Sequence, residues 1–140
     1  MIHFQTAGIE MPSIDRRRVV RWLEAVAVRH GRKMGDINYI FCSDEKILEV
    51  NRQYLQHDYY TDSIAFDYTE GQRIAGDLFI GLETVESNAR QLDLEFGQEL
   101  HRVIVHGVLH LCGFKDKSEE DEKQMRLLEQ EALQWLEEIK

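Results

Sequence analysis

The sequence predicts one α/β domain over residues 1–140, with a small four-stranded mixed sheet and about five helices in the order βαβαββααα. Two kinds of pattern lead to this prediction. Four short segments alternate apolar and polar residues, which is the period of a β-strand. Longer segments repeat apolar residues every three or four positions, which is the period of a helix. In addition, no internal repeat or low-complexity run divides the chain.

Strands and helices alternate in the first half of the chain. Strands are predicted at the segments IHFQT and INYIFCS, with Pro12 separating the first strand from the helix that follows it. That helix ends at Gly31, since glycine adopts the left-handed conformation of a helix stop without strain. Ser43 can cap the helix after the second strand. The apolar faces of these helices carry Val19, Leu23, Val26 and His30, and then Ile47, Val50 and Tyr54.

The second half contains two strands and then three helices. The strands SIAFDY and GDLFIG flank a turn near Glu70 and Gly71. The last helix opens with SEED, the pattern of a capping box. The three helices are predicted to run from Glu83 to about Leu92, from near Gly97 to Leu111, and from Ser118 onward. The buried stripe of the last helix is predicted to be Met125, Leu128, Ala132, Trp135 and Ile139.

Charge and cysteine usage limit the class of protein. The formal net charge of −9 argues against broad, charge-driven binding to nucleic acid. An early basic cluster is interpreted as a solvated helix face, with an RNA surface as the alternative. It comprises Arg16, Arg17, Arg18, Arg21, Arg29, Arg32 and Lys33. Two distant cysteines, the lack of a signal pattern and the lack of a long apolar run predict a cytoplasmic protein without a membrane segment.

The segment HGVLHLCGFKD, residues 106–116, predicts a metal site. His106 and His110 are one helical turn apart, so both imidazoles can reach the same ion. Gly113 can end the helix and let the chain fold back, which brings the carboxylate of Asp116 near the two imidazoles. His106, His110 and Asp116 would then form an open three-ligand site with a position left for water. The alternative is that the histidines are hydrogen-bonded core residues of an apolar helix.

This segment resembles the signature of the YbeY family, HGxLHLxGYDH. Upstream, NRQYLQHDYYTDSIAF resembles the family segment N-x-x-Y-R-x-x-D-x-x-T-[DN]-V-L-S-F, and AGDLFIGLETVESNA resembles its G-D-I-x-I strand and the helix that follows. The resemblance therefore covers nearly the whole chain. The matching residues are Asn51, Tyr54, Asp58, Thr61, Asp62 and Phe66 upstream, and His106, Gly107, Leu109, His110, Leu111 and Gly113 in the signature.

The resemblance implies a metal-dependent single-strand endoribonuclease that acts in ribosomal RNA maturation and ribosome quality control. It also implies a zincin-like metal helix and one divalent metal ion, with zinc as the expected metal. The expected partners are single-stranded or ribosomal RNA and ribosomal subunits. No catalytic group is assigned beyond the metal-bound water.

Two departures from the family pattern affect this expectation. Asp116 stands in place of the third family histidine, and a carboxylate ligand weakens the Lewis acidity of the metal and admits other divalent ions. Leu55 stands where the family has an arginine linked to ribonuclease function, and it cannot contact a phosphate by charge. The alternative function is a ribosome-associated binding protein with a structural metal and decayed catalysis. A metallopeptidase is less favoured, because Gly107 occupies the position of the glutamate in HExxH motifs.

Several other polar residues are secondary candidates. His57 can supply a switchable charge near Leu55. Asp62 and Asp77 are either polar site residues or structural residues at a turn and a strand end. His101 lies off the ligand face of its helix and is interpreted as a residue that supports the site or belongs to the core, and Cys112 as a core residue.

Overall fold

The computed structural model describes residues 1–55 and 62–139, without the side chain of Leu55. His57 and the family-matched Asp58 and Thr61 lie outside the described residues. The strands are β1 (Ile2–Ala7), β2 (Lys33–Cys42), β3 (Ser63–Asp67) and β4 (Arg73–Gly81). The helices are α1 (Arg16–Arg29), α2 (Asp44–Leu55), α3 (Leu82–Gln91), α4 (Phe96–Leu111) and α5 (Glu119–Glu138). This confirms the predicted order βαβαββααα.

The sheet is mixed, with the strand order β1-β2-β4-β3. β1 pairs with β2 and β2 with β4 in parallel, whereas β3 pairs antiparallel to β4. The turn between β3 and β4 contains Gly71 at φ 59°, next to a bridge between Glu70 and Arg73. This tight turn lets β3 pair with β4 at the edge of the sheet. β3 begins at Ser63, directly after residue 62.

Two apolar clusters lie on opposite faces of the sheet, because successive strand residues point to opposite sides. The larger cluster joins α1, α4 and α5 to residues such as Tyr39 and Leu78 of β2 and β4. The smaller one packs α2 against the other face through Cys42, Ile47, Val50 and Ile64. α4 contributes nine buried residues and therefore lies at the centre of the larger layer. None of the helices within residues 1–55 and 62–139 is long and apolar enough to cross a membrane.

The ends of the helices follow the local signals in the sequence. Gly31 and Gly113 adopt φ values of 73° and 103°, so both helix stops are confirmed. The hydroxyl of Ser43 accepts a hydrogen bond from the Lys46 N–H at 3.2 Å, and that of Ser118 accepts one from the Asp121 N–H at 3.1 Å. Both N-caps are thus where the sequence predicts them.

The buried stripe of α5 differs from the prediction. Met125 and Ala132 are buried as expected, but Leu128, Trp135 and Ile139 are only partly buried. The remaining buried positions are those of Leu136 and the charged residue Glu129. The spacing of the four buried residues is that of one helical face, and Glu129 lies in the middle of it.

The early basic cluster is partly structural, which its interpretation as a solvated face did not anticipate. Arg18 donates to the carbonyls of Leu136 and Ile139, both at 2.7 Å, and so ties α1 to the end of α5. Arg32 donates to the carbonyls of Gly71 and Cys112. Arg16 and Arg17 are exposed, as a solvated face requires.

Candidate metal centre

A cavity of about 210 Å³ lies between α4 and the sheet, near the start of β3. The three predicted ligands, His106, His110 and Asp116, all line it. Asp62 and Ser63 contribute further polar atoms to its wall. The sequence motif and a segment more than 40 residues upstream therefore meet in one place.

α4 lies unusually close to the sheet at Gly107. A β-carbon built on this glycine would lie 2.9 Å from Cδ1 and 3.2 Å from Cδ2 of Leu78 in β4. Real side chains do not tolerate such a contact without a shift of the neighbouring atoms. Gly107 therefore lets the helix approach the sheet, and a larger residue at this position requires Leu78 to shift.

The reversal after α4 brings Asp116 back toward the helix. The N–H of Gly113 donates to the carbonyl of His110 at 3.0 Å, and the N–H of Phe114 donates to that of Leu109 at 3.2 Å. These bonds and the positive φ of Gly113 turn the chain sharply. As a result, Oδ2 of Asp116 lies 3.3 Å from Nε2 of His106. The fold-back predicted from the glycine is present.

His110, which lines the same cavity, has one unsatisfied nitrogen. Its Nδ1 is buried and makes no hydrogen bond with any residue in the described ranges. Two imidazoles and one carboxylate are a donor set that suits zinc and related divalent ions. However, no three His, Cys, Asp or Glu side chains among residues 1–55 and 62–139 lie close enough together to form a metal site as they stand. The donors thus fit a metal by their chemistry and shared cavity, without forming a closed site.

Glu129 is a site residue that the sequence analysis missed. Its Oε2 lies 2.7 Å from Nδ1 of His106, and the residue is only 3% exposed. Because an ionised carboxylate only accepts hydrogen bonds, Nδ1 of His106 carries the proton and Nε2 is left to face Asp116 and the cavity. The available signal was a charged residue at helical spacing from the apolar Met125 and Ala132.

Arg102 balances the buried carboxylates behind His106. It donates to both oxygens of the fully buried Glu99, at 2.6 and 2.8 Å, and to Oε1 of Glu129 at 3.3 Å. Its Nη2 also lies 3.5 Å from Oδ2 of Asp62. The hydrogen bonds to Glu99 raise the pKa of the Arg102 guanidinium, which remains charged. Arg102 therefore contacts both Glu129, which is hydrogen-bonded to His106, and Asp62, which lines the cavity.

The surroundings of His106 favour a positive charge on its ring. Burial by itself lowers the pKa of His106, but the hydrogen bond and charge of Glu129, with the charges of Asp116 and Asp62, raise it above its usual value. The same carboxylates that stabilise the imidazolium also attract a bound cation. The carboxylates of Asp62, Asp116 and Glu129 thus give the surroundings of His106 a negative electrostatic potential.

Asp62 and Asp77 take different roles. Asp62 lines the cavity and contacts Arg102, which matches the interpretation of a polar site residue. Asp77 accepts a hydrogen bond from the amide of Asn38 at 3.0 Å and one from the hydroxyl of Tyr68 at 3.4 Å. Asp77 does not line the cavity, so its role is the structural alternative.

His101 and Cys112 lie away from the ligand face, as predicted. The ring of His101 packs edge-on against Trp22 at 5.8 Å, and burial lowers its pKa. Burial raises the pKa of the Cys112 thiol to about 11, so it stays protonated and apolar in character. Both residues belong to the packing around α4.

The chain matches a known protein family over nearly its whole length. The family model described as endoribonuclease YbeY matches residues 2–137. An endoribonuclease YbeY from Phocaeicola vulgatus is 57% identical over 133 residues, which are 95% of this chain and 96% of that protein. One from Porphyromonas gingivalis is 55% identical, covering 98% of this chain and 91% of that protein.

A solved structure shares the fold. The solution structure of TM1509 from Thermotoga maritima matches with a TM-score of 0.66 and 29% identity. The match covers 94% of this chain and 89% of the other. Together with the matched motifs and element order, these relatives confirm the predicted family: the chain belongs to the endoribonuclease YbeY family.

Proposed function

We propose that residues 1–140 form a single-domain, metal-dependent endoribonuclease that hydrolyses phosphodiester bonds in single-stranded RNA. The observation that carries the proposal is the shared cavity of His106, His110 and Asp116, with Glu129 bonded behind His106. Relatives that match nearly the whole chain are named endoribonucleases. The proposed role is maturation of ribosomal RNA and ribosome quality control in the cytoplasm, with ribosomal subunits as partners.

His106, His110 and Asp116 would hold the divalent ion, with α4 as a zincin-like metal helix. Zinc is the proposed metal because imidazole and carboxylate donors are among its usual ligands. When bound, such an ion polarises a phosphoryl oxygen and makes water a better nucleophile at neutral pH. The cavity shared by the three side chains and the Glu129 carboxylate behind His106 support this assignment.

Other residues orient the proposed ligands and line the cavity in which the phosphodiester would be cleaved. Glu129 accepts a hydrogen bond from Nδ1–H of His106 and so determines the orientation of the ring. Leu78, Ile80 and Val103 form the apolar part of the wall, and electrostatic interactions beside them are stronger than in bulk water. Peptidase chemistry has less support, because Gly107 packs against Leu78 and provides no carboxylate for a general base.

The test is cleavage of a single-stranded RNA and of the same sequence as a duplex. The zinc-loaded natural protein should cleave the single strand preferentially. His110→Ala should lower the rate at least about a hundredfold, because metal catalysis contributes several kcal/mol. His3→Ala removes an exposed histidine of β1, far along the sheet from the cavity, and should cleave like the natural protein.

Two results would count against the proposal. Undiminished cleavage by His110→Ala would mean that the cavity is not the active site. Bound zinc without cleavage of single-stranded RNA by the natural protein would favour the alternative of a ribosome-associated binding protein.

A further inference from the structure

An RNA strand that reaches the cavity brings phosphate charges to an electronegative site. The resemblance assigns a cationic side chain to position 55, but this chain has Leu55 there. The following residues 56–61 contain no lysine or arginine either. Among the described residues, none that lines the cavity of about 210 Å³ is a lysine or arginine. A cationic side chain that contacts the phosphate, in addition to the proposed metal ion, is therefore to be sought outside this cavity.

A second cavity, of about 240 Å³, adjoins the first. The two cavities share His106 and Asp116, so a strand bound at the first can continue into the second. The second cavity is also lined by two cationic side chains, those of Arg102 and Arg126. These are the candidates for contact with the RNA backbone.

The two arginines differ in their availability. Arg102 is held by Glu99, Glu129 and Asp62. Arg126 is exposed on α5 and makes no hydrogen bond or ion pair with any other residue in the described part of the chain. Its guanidinium can therefore turn toward a ligand without breaking a contact to any of residues 1–55 or 62–139.

We propose that Arg126 is a phosphate-binding residue for the RNA strand, at a subsite next to the cleavage cavity. It would provide from α5 the charge that Leu55 cannot provide from α2. A guanidinium suits this role because its planar donors can bond two oxygens of one phosphate. The inference rests on the proposed function, since it takes the ligand to be the RNA substrate.

The neighbouring carboxylates determine how strong the subsite is. Glu129 is balanced by Arg102 and His106, and Asp116 contacts His106. Glu122 lines the same cavity one turn before Arg126, and it forms no ion pair with a described residue. Glu122 should therefore repel the phosphate that Arg126 attracts. The two positions are expected to act in opposite directions.

The test compares binding of a short single-stranded RNA to zinc-loaded protein by fluorescence anisotropy at several salt concentrations, together with the KM and kcat of cleavage. Arg126→Ala should raise Kd and KM about tenfold and leave kcat nearly unchanged. The slope of log Kd against log salt should become shallower by about 0.7, the value for one lost contact to a single strand. Glu122→Gln should lower Kd by about two- to threefold at low salt.

Lys123→Ala is the matched control. It removes the same charge from the exposed face of α5, but Lys123 lines neither cavity. It should bind and cleave like the natural protein, which separates a local contact from an effect of net charge. Leu55→Arg, added to Arg126→Ala, should restore much of the lost affinity.

Equal Kd values and salt slopes for Arg126→Ala and Lys123→Ala would overturn the subsite. If the natural protein also cleaves RNA, that result leaves the proposed function intact. Conversely, weaker binding by Arg126→Ala in a protein that cleaves no RNA would support the subsite and contradict the nuclease activity. Thermal unfolding of the variants checks that these surface changes leave the fold unaltered.

Discussion

Glu129 determines the orientation of a candidate metal ligand that lies 23 residues earlier in the chain. A carboxylate that is only 3% exposed is costly unless it is compensated, and His106 and Arg102 provide that compensation. In metal sites, the partner of the second imidazole nitrogen fixes the ring and increases the basicity of the ligating nitrogen. Glu129 is placed to do both for His106.

Glu129→Gln should weaken zinc binding by about ten- to a hundredfold. The amide oxygen can still accept the Nδ1 hydrogen bond, but the negative charge is lost. Zinc affinity is measured by competition with a coloured chelator, independently of RNA cleavage. Glu120→Gln removes an exposed carboxylate in the first turn of the same helix and is the control. An unchanged affinity in Glu129→Gln would mean that Glu129 only contributes to packing.

At the scale of elements, α4 combines an apolar packing surface with a polar cavity. The helix can do this because Gly107 lets it pack directly on β4, while the histidines one turn apart face the cavity. Gly97, in the first turn of the same helix, has nothing within 4 Å of a β-carbon position. Close packing against Leu78 therefore favours glycine at position 107, whereas packing does not require glycine at position 97.

Alanine at these two positions should have opposite effects on stability. Gly97→Ala should raise the free energy of unfolding by about 0.5–1 kcal/mol, the gain in helix propensity. At Gly107 the same gain is opposed by overpacking against Leu78, which costs about 1–3 kcal/mol, so Gly107→Ala should be destabilising. Urea denaturation measures both variants. A stabilising Gly107→Ala would mean that Leu78 moves aside easily.

Across the whole molecule, packing between the helices partly buries two histidines and lowers the pKa of each. Burial lowers the pKa of His101, with a further contribution from the charge of Arg18. Burial also lowers the pKa of His30, against the opposing charge of Glu131. In the unfolded chain these groups return to an ordinary pKa of 6.5. At these two positions the unfolded state therefore binds more protons than the folded state at mildly acidic pH, whereas His106, whose pKa is raised, binds more in the folded state.

The contribution of His30 and His101 to the free energy of unfolding should thus fall as the pH is lowered. The contribution of each histidine is complete above about pH 6.5, and it is lost between that value and the lower pKa of the folded state. His101→Phe keeps a ring against Trp22 but cannot take up a proton, so its stability should fall less between about pH 7 and pH 5. Urea denaturation at the two pH values measures this. His3→Phe, on the exposed edge strand, is the control and should behave like the natural protein. The same pH dependence in His101→Phe would show that His101 makes no contribution.

The order of the elements and the histidine pair of the proposed metal site follow from patterns in the sequence. Period-two and helical patterns, N-caps such as Ser43 and Ser118, and glycine stops such as Gly113 are local signals that act over a few residues. The spacing of His106 and His110 is also local, since one helical turn places both on one face. The resemblance to the family added the endoribonuclease expectation.

Which charged residues surround those histidines depends on how the elements pack together, and no local pattern reveals it. Glu129 and Arg102 are 27 positions apart, and the local sequence around either residue does not predict their contact. Asp62 and Asp77 have the same chemistry in the sequence, yet only Asp62 lines the cavity. In the sequence, Arg126 looks like any exposed residue of an acidic helix. Only the packing of α5 beside α4 places it at the same cavity as His106. The physical reason is that periodicity is fixed by the local geometry of the backbone, whereas the partner of a charge depends on how distant elements pack together.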